Sequence, residues 1–191
     1  VIGVPGKNIK GRTNAGEITV LYGDESRNPT SRVETINQSN HRVPDAAETG
    51  DRWGAALTSG DFNGDGFTDL AVGAPGERYG TYENAGAITI LYGSKQGLTS
   101  TKSTRFHQDT PEIPDRNETN DHWGSNLESG DFNNDGYDDV IIGTPNESSG
   151  DRKESGTLTV LPGSPSGPTS KNAMFLHKGS FNVPGNISPY D

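Results

Sequence analysis

Ala85-Gly86-Ala87-Ile88-Thr89-Ile90-Leu91-Tyr92-Gly93 repeats Ala15-Gly16-Glu17-Ile18-Thr19-Val20-Leu21-Tyr22-Gly23 and returns as Ser155-Gly156-Thr157-Leu158-Thr159-Val160-Leu161-Pro162-Gly163, at a constant offset of 70 residues. Gly3, Gly73 and Gly143 keep that spacing, as do Trp53 with Trp123, Asp61 with Asp131, and Val43-Pro44 with Ile113-Pro114 and Val183-Pro184. A fixed period of this kind marks a tandem repeat architecture and has to be read before any single element. The units are 1–52, lacking its opening segment, then 53–122 and 123–191. Val1 aligns with Ala71 and Asp191 with Asp51, so both ends fall inside a unit, as expected of a fragment cut from a longer array.

Each unit contains four short strand signals bounded by turn residues. In the second unit they are 54–60, rich in small residues and suited to a crowded inner position; 69–74, an apolar run too short for a helix; 86–92, where Ile88, Ile90 and Tyr92 alternate with Thr89 and Leu91; and 102–108. The polar stretch from Asp109 to Asn120, with two prolines, reads as an exposed excursion. Four antiparallel strands in about 70 residues match a blade of a β-propeller better than a solenoid coil of about 20–45 residues. The expected fold is all-β: just under three tandem four-stranded blades.

Composition narrows the function. The 191 residues carry a net charge of −10, only 28% are apolar, and cysteine is absent. There is no clustered Lys and Arg to neutralise phosphates, so nucleic acid is not an expected partner. No run reaches the roughly 18–20 apolar residues of a membrane helix, so membrane insertion is not expected either. Without cysteine there is no disulfide frame, thiolate metal site or Cys nucleophile.

The acidic residues are concentrated in Asp61-Phe62-Asn63-Gly64-Asp65-Gly66-Phe67-Thr68-Asp69 and in its double, Asp131-Phe132-Asn133-Asn134-Asp135-Gly136-Tyr137-Asp138-Asp139. Oxygen-bearing side chains recur at loop positions 1, 3, 5 and 9: Asp61, Asn63, Asp65 and Asp69, then Asp131, Asn133, Asp135 and Asp139. Phe67 and Tyr137 at position 7 would add backbone carbonyls. Ca²⁺ takes 6–8 such oxygens at about 2.3–2.6 Å. Gly66 and Gly136 fall where the chain must bend sharply, with φ > 0. Asn, Asp and Gly are also ordinary turn residues, but packing several ionised carboxylates into nine residues is costly unless a cation offsets their repulsion. An EF-hand is ruled out: it needs Glu at position 12 between helices, where Val72 and Ile142 stand inside apolar strands. Two Ca²⁺ sites are expected.

Trp53-Gly54, then Asp61 to Asp69, then Leu70-Ala71-Val72-Gly73-Ala74-Pro75 resembles the FG-GAP repeat of integrin α-subunit β-propellers. The same order returns as Trp123-Gly124, Asp131 to Asp139, and Val140-Ile141-Ile142-Gly143-Thr144-Pro145, while the first unit keeps Val1-Ile2-Gly3-Val4-Pro5. Trp replaces the family's Phe, and Gly-Thr-Pro once replaces Gly-Ala-Pro. The resemblance implies a structural Ca²⁺ in the hairpin between the first two strands of a blade, and a secreted or cell-surface recognition module for a protein or carbohydrate ligand.

The expectation is therefore a non-enzymatic, calcium-stabilised binding or adhesion module. Its recognition rim is placed where the units differ most: Arg78 to Asn84, Lys7 to Asn14, and Glu147 to Glu154. One alternative is the propeller part, catalytic or not, of a secreted hydrolase or lyase. Against catalysis, Asp109, Glu112, Asp115 and Glu118 read as solvated, and Gly163-Ser-Pro-Ser-Gly167 is no nucleophile elbow. Another alternative is a self-assembling repeat, completed by further blades of a parent chain or by another copy.

Overall fold

The computed structural model describes residues 1–23, 32–40, 43–147, 156–177 and 180. Val183-Pro184 and residues 148–154 of the expected rim lie outside them. Among the described residues there is no helix, and the strands form three antiparallel sheets. The first holds β1 (Ile2–Val4), β2 (Glu17–Tyr22) and β3 (Arg32–Ile36). The second holds β4 (Ala56–Gly60), β5 (Asp69–Ala74), β6 (Ala87–Tyr92) and β7 (Thr99–Phe106). The third holds β8 (Asn126–Gly130), β9 (Asp139–Thr144), β10 (Thr157–Leu161) and β11 (Met174–Leu176). Each strand pairs with its sequence neighbour, giving the simple meander expected of propeller blades.

The alternation of side chains explains the stacking. β5 and β6 are buried on both faces. Ile88, Ile90 and Tyr92 face the third blade, in one cluster with Phe62, Val140, Ile142 and Leu161. Leu70, Val72 and Leu91 point the other way, against Ile18, Val20 and Ile36 of the first blade. The core therefore lies between blades. Each fully buried Ile or Leu contributes about 1.5–3 kcal/mol, and a one-residue slip of register would exchange the two faces. The inner strands meet through small polar residues: Thr58 Oγ1 and Ser129 Oγ are 2.7 Å apart, and Ser129 Oγ donates to Ser59 O at 2.9 Å.

Trp53 and Trp123 close the two boundaries, and both are fully buried. Trp53 N donates to Ala15 O and Trp123 N to Ala85 O, each at 3.0 Å. This requires Gly16 and Gly86, at φ 95° and 93°, to lie directly against the Trp main chain. A Cβ on either glycine would sit 2.1 Å from the Trp carbonyl oxygen.

The segment between blades differs from the sequence expectation. Ile113 is buried in the cluster between the second and third blades, and Asn117 is buried as well. An extended polar segment can lie inside because its side chains replace water as partners: Asn117 Oδ1 accepts from Gln108 N at 3.2 Å, and Asn117 N donates to Asp109 Oδ1 at 3.2 Å. Asp115 is half-buried, whereas Asp109, Glu112 and Glu118 are exposed as expected.

Candidate functional site

The two acidic loops are the hairpins joining β4 to β5 and β8 to β9. They have nearly the same geometry. Asp61 Oδ1 accepts from Asp65 N at 3.1 Å and Asp61 Oδ2 from Gly66 N at 2.9 Å. Asn63 Oδ1 also accepts from Asp65 N, at 2.9 Å, and Asp65 Oδ1 accepts from Phe67 N at 2.9 Å. In the other loop Asp131 accepts from Asp135 N and Gly136 N, each at 3.0 Å. Asn133 Oδ1 accepts from Asp135 N at 2.8 Å, and Asp135 Oδ1 from Tyr137 N at 3.0 Å. Gly66 and Gly136 adopt φ 84° and 91°.

Positions 1, 3 and 5 thus converge on one short arc of main chain, while position 9 sits apart. Asp69 is buried, and its two oxygens accept from Phe62 N at 3.1 Å and Gly93 N at 2.7 Å. Burial pushes its carboxyl up to about 6; the two amides oppose this, and Asp65 and Asp61 add to it. Asp139 makes the equivalent bonds to Phe132 N at 3.2 Å and Gly163 N at 2.9 Å. The ring of Phe67 is exposed, whereas that of Tyr137 lies against Gly64 of the neighbouring hairpin. The hairpins are joined directly: Asp61 N donates to Asp138 Oδ2 at 2.8 Å, and Asp138 N to Asp61 O at 3.1 Å.

The donor set suits a hard cation. The side-chain acceptors are oxygens, and each oxygen already holding an amide keeps a second lone pair. Asp61, Asn63 and Asp65, with Asp131, Asn133 and Asp135, are brought together and could hold an ion, whereas Asp69 and Asp139, expected in the same set, are fixed on main-chain amides beside them.

The structure also assembles carboxylates that the sequence reading left apart. One oxygen each from Glu48, Asp51 and Glu77 lies within 4.8 Å of the others, and the same holds for Glu118, Asp121 and Glu147. The second trio is the first displaced by 70 residues. Both sit where the segment between blades crosses the loop after the second strand, at the end opposite the hairpins. Glu77 is buried with Arg105 Nη2 3.4 Å away, and Arg105 Nη1 pairs with Asp45 at 2.9 Å. Burial, with Asp51 nearby, pushes Glu77 up to about 8. Glu147, expected on the rim, is buried. The signal available in the sequence was the shared offset of 48 with 118, 51 with 121, and 77 with 147.

The FG-GAP repeat family model matches residues 53–91 and 123–161. The phosphatidylinositol-glycan-specific phospholipase D of Rattus norvegicus is 32% identical over 76% of this chain and 16% of its own length, and that of Homo sapiens is 32% identical over 87% and 19%. Integrin alpha-X of Mus musculus is 41% identical over 49% of the chain and 7% of its own length. The chain thus spans less than a quarter of each of these relatives. The two matched segments span the first three strands, β4–β6 and β8–β10, of successive four-stranded blades, each opening on its buried Trp and enclosing an acidic hairpin, and these two segments are FG-GAP repeats.

Proposed function

We propose that the chain is a calcium-stabilised propeller module of an extracellular or cell-surface protein, and that it binds a protein or carbohydrate ligand rather than catalysing a reaction. One observation carries this reading: two hairpins, 70 residues apart, present the same oxygens on the same main-chain arc. Bound Ca²⁺ would supply the positive charge that offsets carboxylate repulsion. The protein's own contribution is to pre-form the loop, with Gly66 and Gly136 making the bend and Asp69 and Asp139 fixing each hairpin to its blade.

Ligand recognition is assigned to the opposite end. There Arg12, Glu48, Asp51, Arg78, Glu83 and Asn84 line a cleft of about 450 Å³. Its donors and acceptors suit a ligand rich in hydroxyl groups. Tyr79 and Tyr82 close a tight turn beside it, with Tyr79 stacked 3.9 Å from the His107 ring. The test is a glycan and matrix-protein binding screen with and without Ca²⁺, alongside calcium titration. Calcium-dependent retention of one ligand class is the expected result; a chain that neither binds calcium nor gains thermal stability from it would overturn the reading.

The matches to phospholipase D relatives favour a second reading, in which the module accompanies the catalytic part of a larger hydrolase. Turnover by the isolated chain would contradict the non-catalytic assignment in both readings. Phe132 is 57% exposed, whereas its counterpart Phe62 is buried against the third blade. That face is assigned to further blades of a parent chain or to another copy, and the mass in solution tests the latter.

A further inference from the structure

We propose that Glu118, Asp121 and Glu147, together with Asp115 and Gln108, form a divalent-cation site between the second and third blades, at the opposite end from the hairpins. The site is independent of the hairpin reading.

The three carboxylates present oxygens within 4.8 Å of one another, the separation expected for ligands about 2.3–2.6 Å from a shared Ca²⁺. Gln108 supplies a separate observation. Its side chain is fully buried and its amide lies in the cluster, with Nε2 donating to Glu147 Oε2 and to Asp115 Oδ2. Its Oε1 is buried with no hydrogen-bond partner. The counterpart Gln38 is also buried, donates Nε2 to Glu77 at 2.9 Å, and has an unpartnered Oε1. An unpaired buried oxygen costs about 1–3 kcal/mol. Beside the second trio, where the counterpart of Arg105 is Phe175, that unpaired oxygen points to a missing positive ligand.

Comparison of the two clusters shows which of them needs an ion. The first is surrounded by arginines: Arg105 pairs with Glu77 and Asp45, and Arg12 and Arg78 line the cleft over Glu48 and Asp51. At the second, the counterparts of Arg105 and Arg12 among the described residues are Phe175 and Tyr82. A guanidinium at the first cluster takes the place that a free cation takes at the second. Asp121 and Glu147 are both buried side by side, so ionising both without a cation is unfavourable. All-oxygen ligands suit Ca²⁺, Mg²⁺ or Mn²⁺ rather than Zn²⁺, and the partly open Glu118 side favours the flexible shell of Ca²⁺.

The test is to count the calcium ions bound by the chelator-stripped 191-residue chain, using calorimetry and native mass spectrometry. Glu147→Gln and Asp121→Asn should each lose one calcium relative to wild type, or bind it at least tenfold more weakly, whereas Glu77→Gln should keep the full count. Wild-type stoichiometry and affinity in both Glu147→Gln and Asp121→Asn would overturn the site. Asp135→Ala reports separately on the hairpins: an unchanged count there sinks the hairpin reading and leaves this one standing. A Mn²⁺ soak of wild-type crystals decides the matter however the variants fold. An anomalous peak between Glu118, Asp121 and Glu147 supports the site, and its absence at saturating Mn²⁺ overturns it.

Discussion

Trp123 Nε1 donates a hydrogen bond to Thr159 Oγ1 at 3.1 Å, although Trp123 has its main chain on the second blade and Thr159 lies in β10 of the third. Trp53 and Thr89 repeat the arrangement one boundary earlier, at 3.2 Å. All four side chains are buried. The indole thus fills the apolar space between blades while its one polar atom finds a partner on the far side.

Thr159→Val keeps the shape of the side chain but leaves the indole N–H unpaired in a dry interior. The expected loss is about 1–3 kcal/mol of unfolding free energy, measured by urea denaturation. An unchanged midpoint would mean that the N–H has another partner.

Gly86→Ala should be far more damaging than its size suggests. The new methyl would have to share space with Trp123 O, and the backbone sits at φ 93°. A loss of at least about 3 kcal/mol follows from overpacking and left-handed strain together. Gly66→Ala, with open space around the new atom, carries only the backbone cost of about 1–2 kcal/mol. Equal losses in the two variants, measured in chelator, would contradict the close approach.

Removing calcium should lower the melting temperature. With free calcium a hundredfold above Kd, each occupied site contributes about 2.7 kcal/mol, roughly 5–10 °C for a chain of this size. Asp65→Ala and Asp135→Ala should each reproduce part of the shift caused by EDTA. A melting curve indifferent to EDTA would remove the calcium assignment.

Glu77 sets a pH dependence in the metal-free chain. Its carboxyl is raised from 4.5 to about 8, first by burial and then by Asp51, with Arg105 opposing. Between those values the folded chain holds a proton that the unfolded chain has released, so stability falls as pH rises. In EDTA the melting temperature should drop between about pH 5 and pH 8, the span set by the reference and raised values. Glu77→Gln should flatten that slope. A slope of the opposite sign, or one untouched by the substitution, would show that Glu77 is ionised throughout.

The features legible in the sequence were those repeated along it. Residues 69–74 and 86–92 carried enough apolar alternation to be recognised as strands, and they became β5 and β6 within one residue. The hairpin residues were legible because all of them lie within nine positions. The acidic trios were not, because Asp51 and Glu77 approach only when one blade's exit crosses the next blade's loop, where Gly76 N donates to Asp51 O at 3.1 Å. Polarity misled in the same region: Asn117 lies in a stretch that reads as an exposed excursion, yet it is enclosed, with its Oδ1 accepting from the main-chain N of Gln108. No local pattern encodes that enclosure.

The placement of the two indoles bears on how such arrays can be divided. A fragment begun just before Trp53 would carry the plug but lose the Ala15 carbonyl that anchors its main chain, and one ended just after Gly86 would keep the anchor but lose the plug. Excision at the period of the sequence therefore leaves a wound on both products. Shuffling experiments that respect this interlock should exchange pairs of neighbouring repeats, with the joins made inside exposed turns such as Arg78 to Asn84.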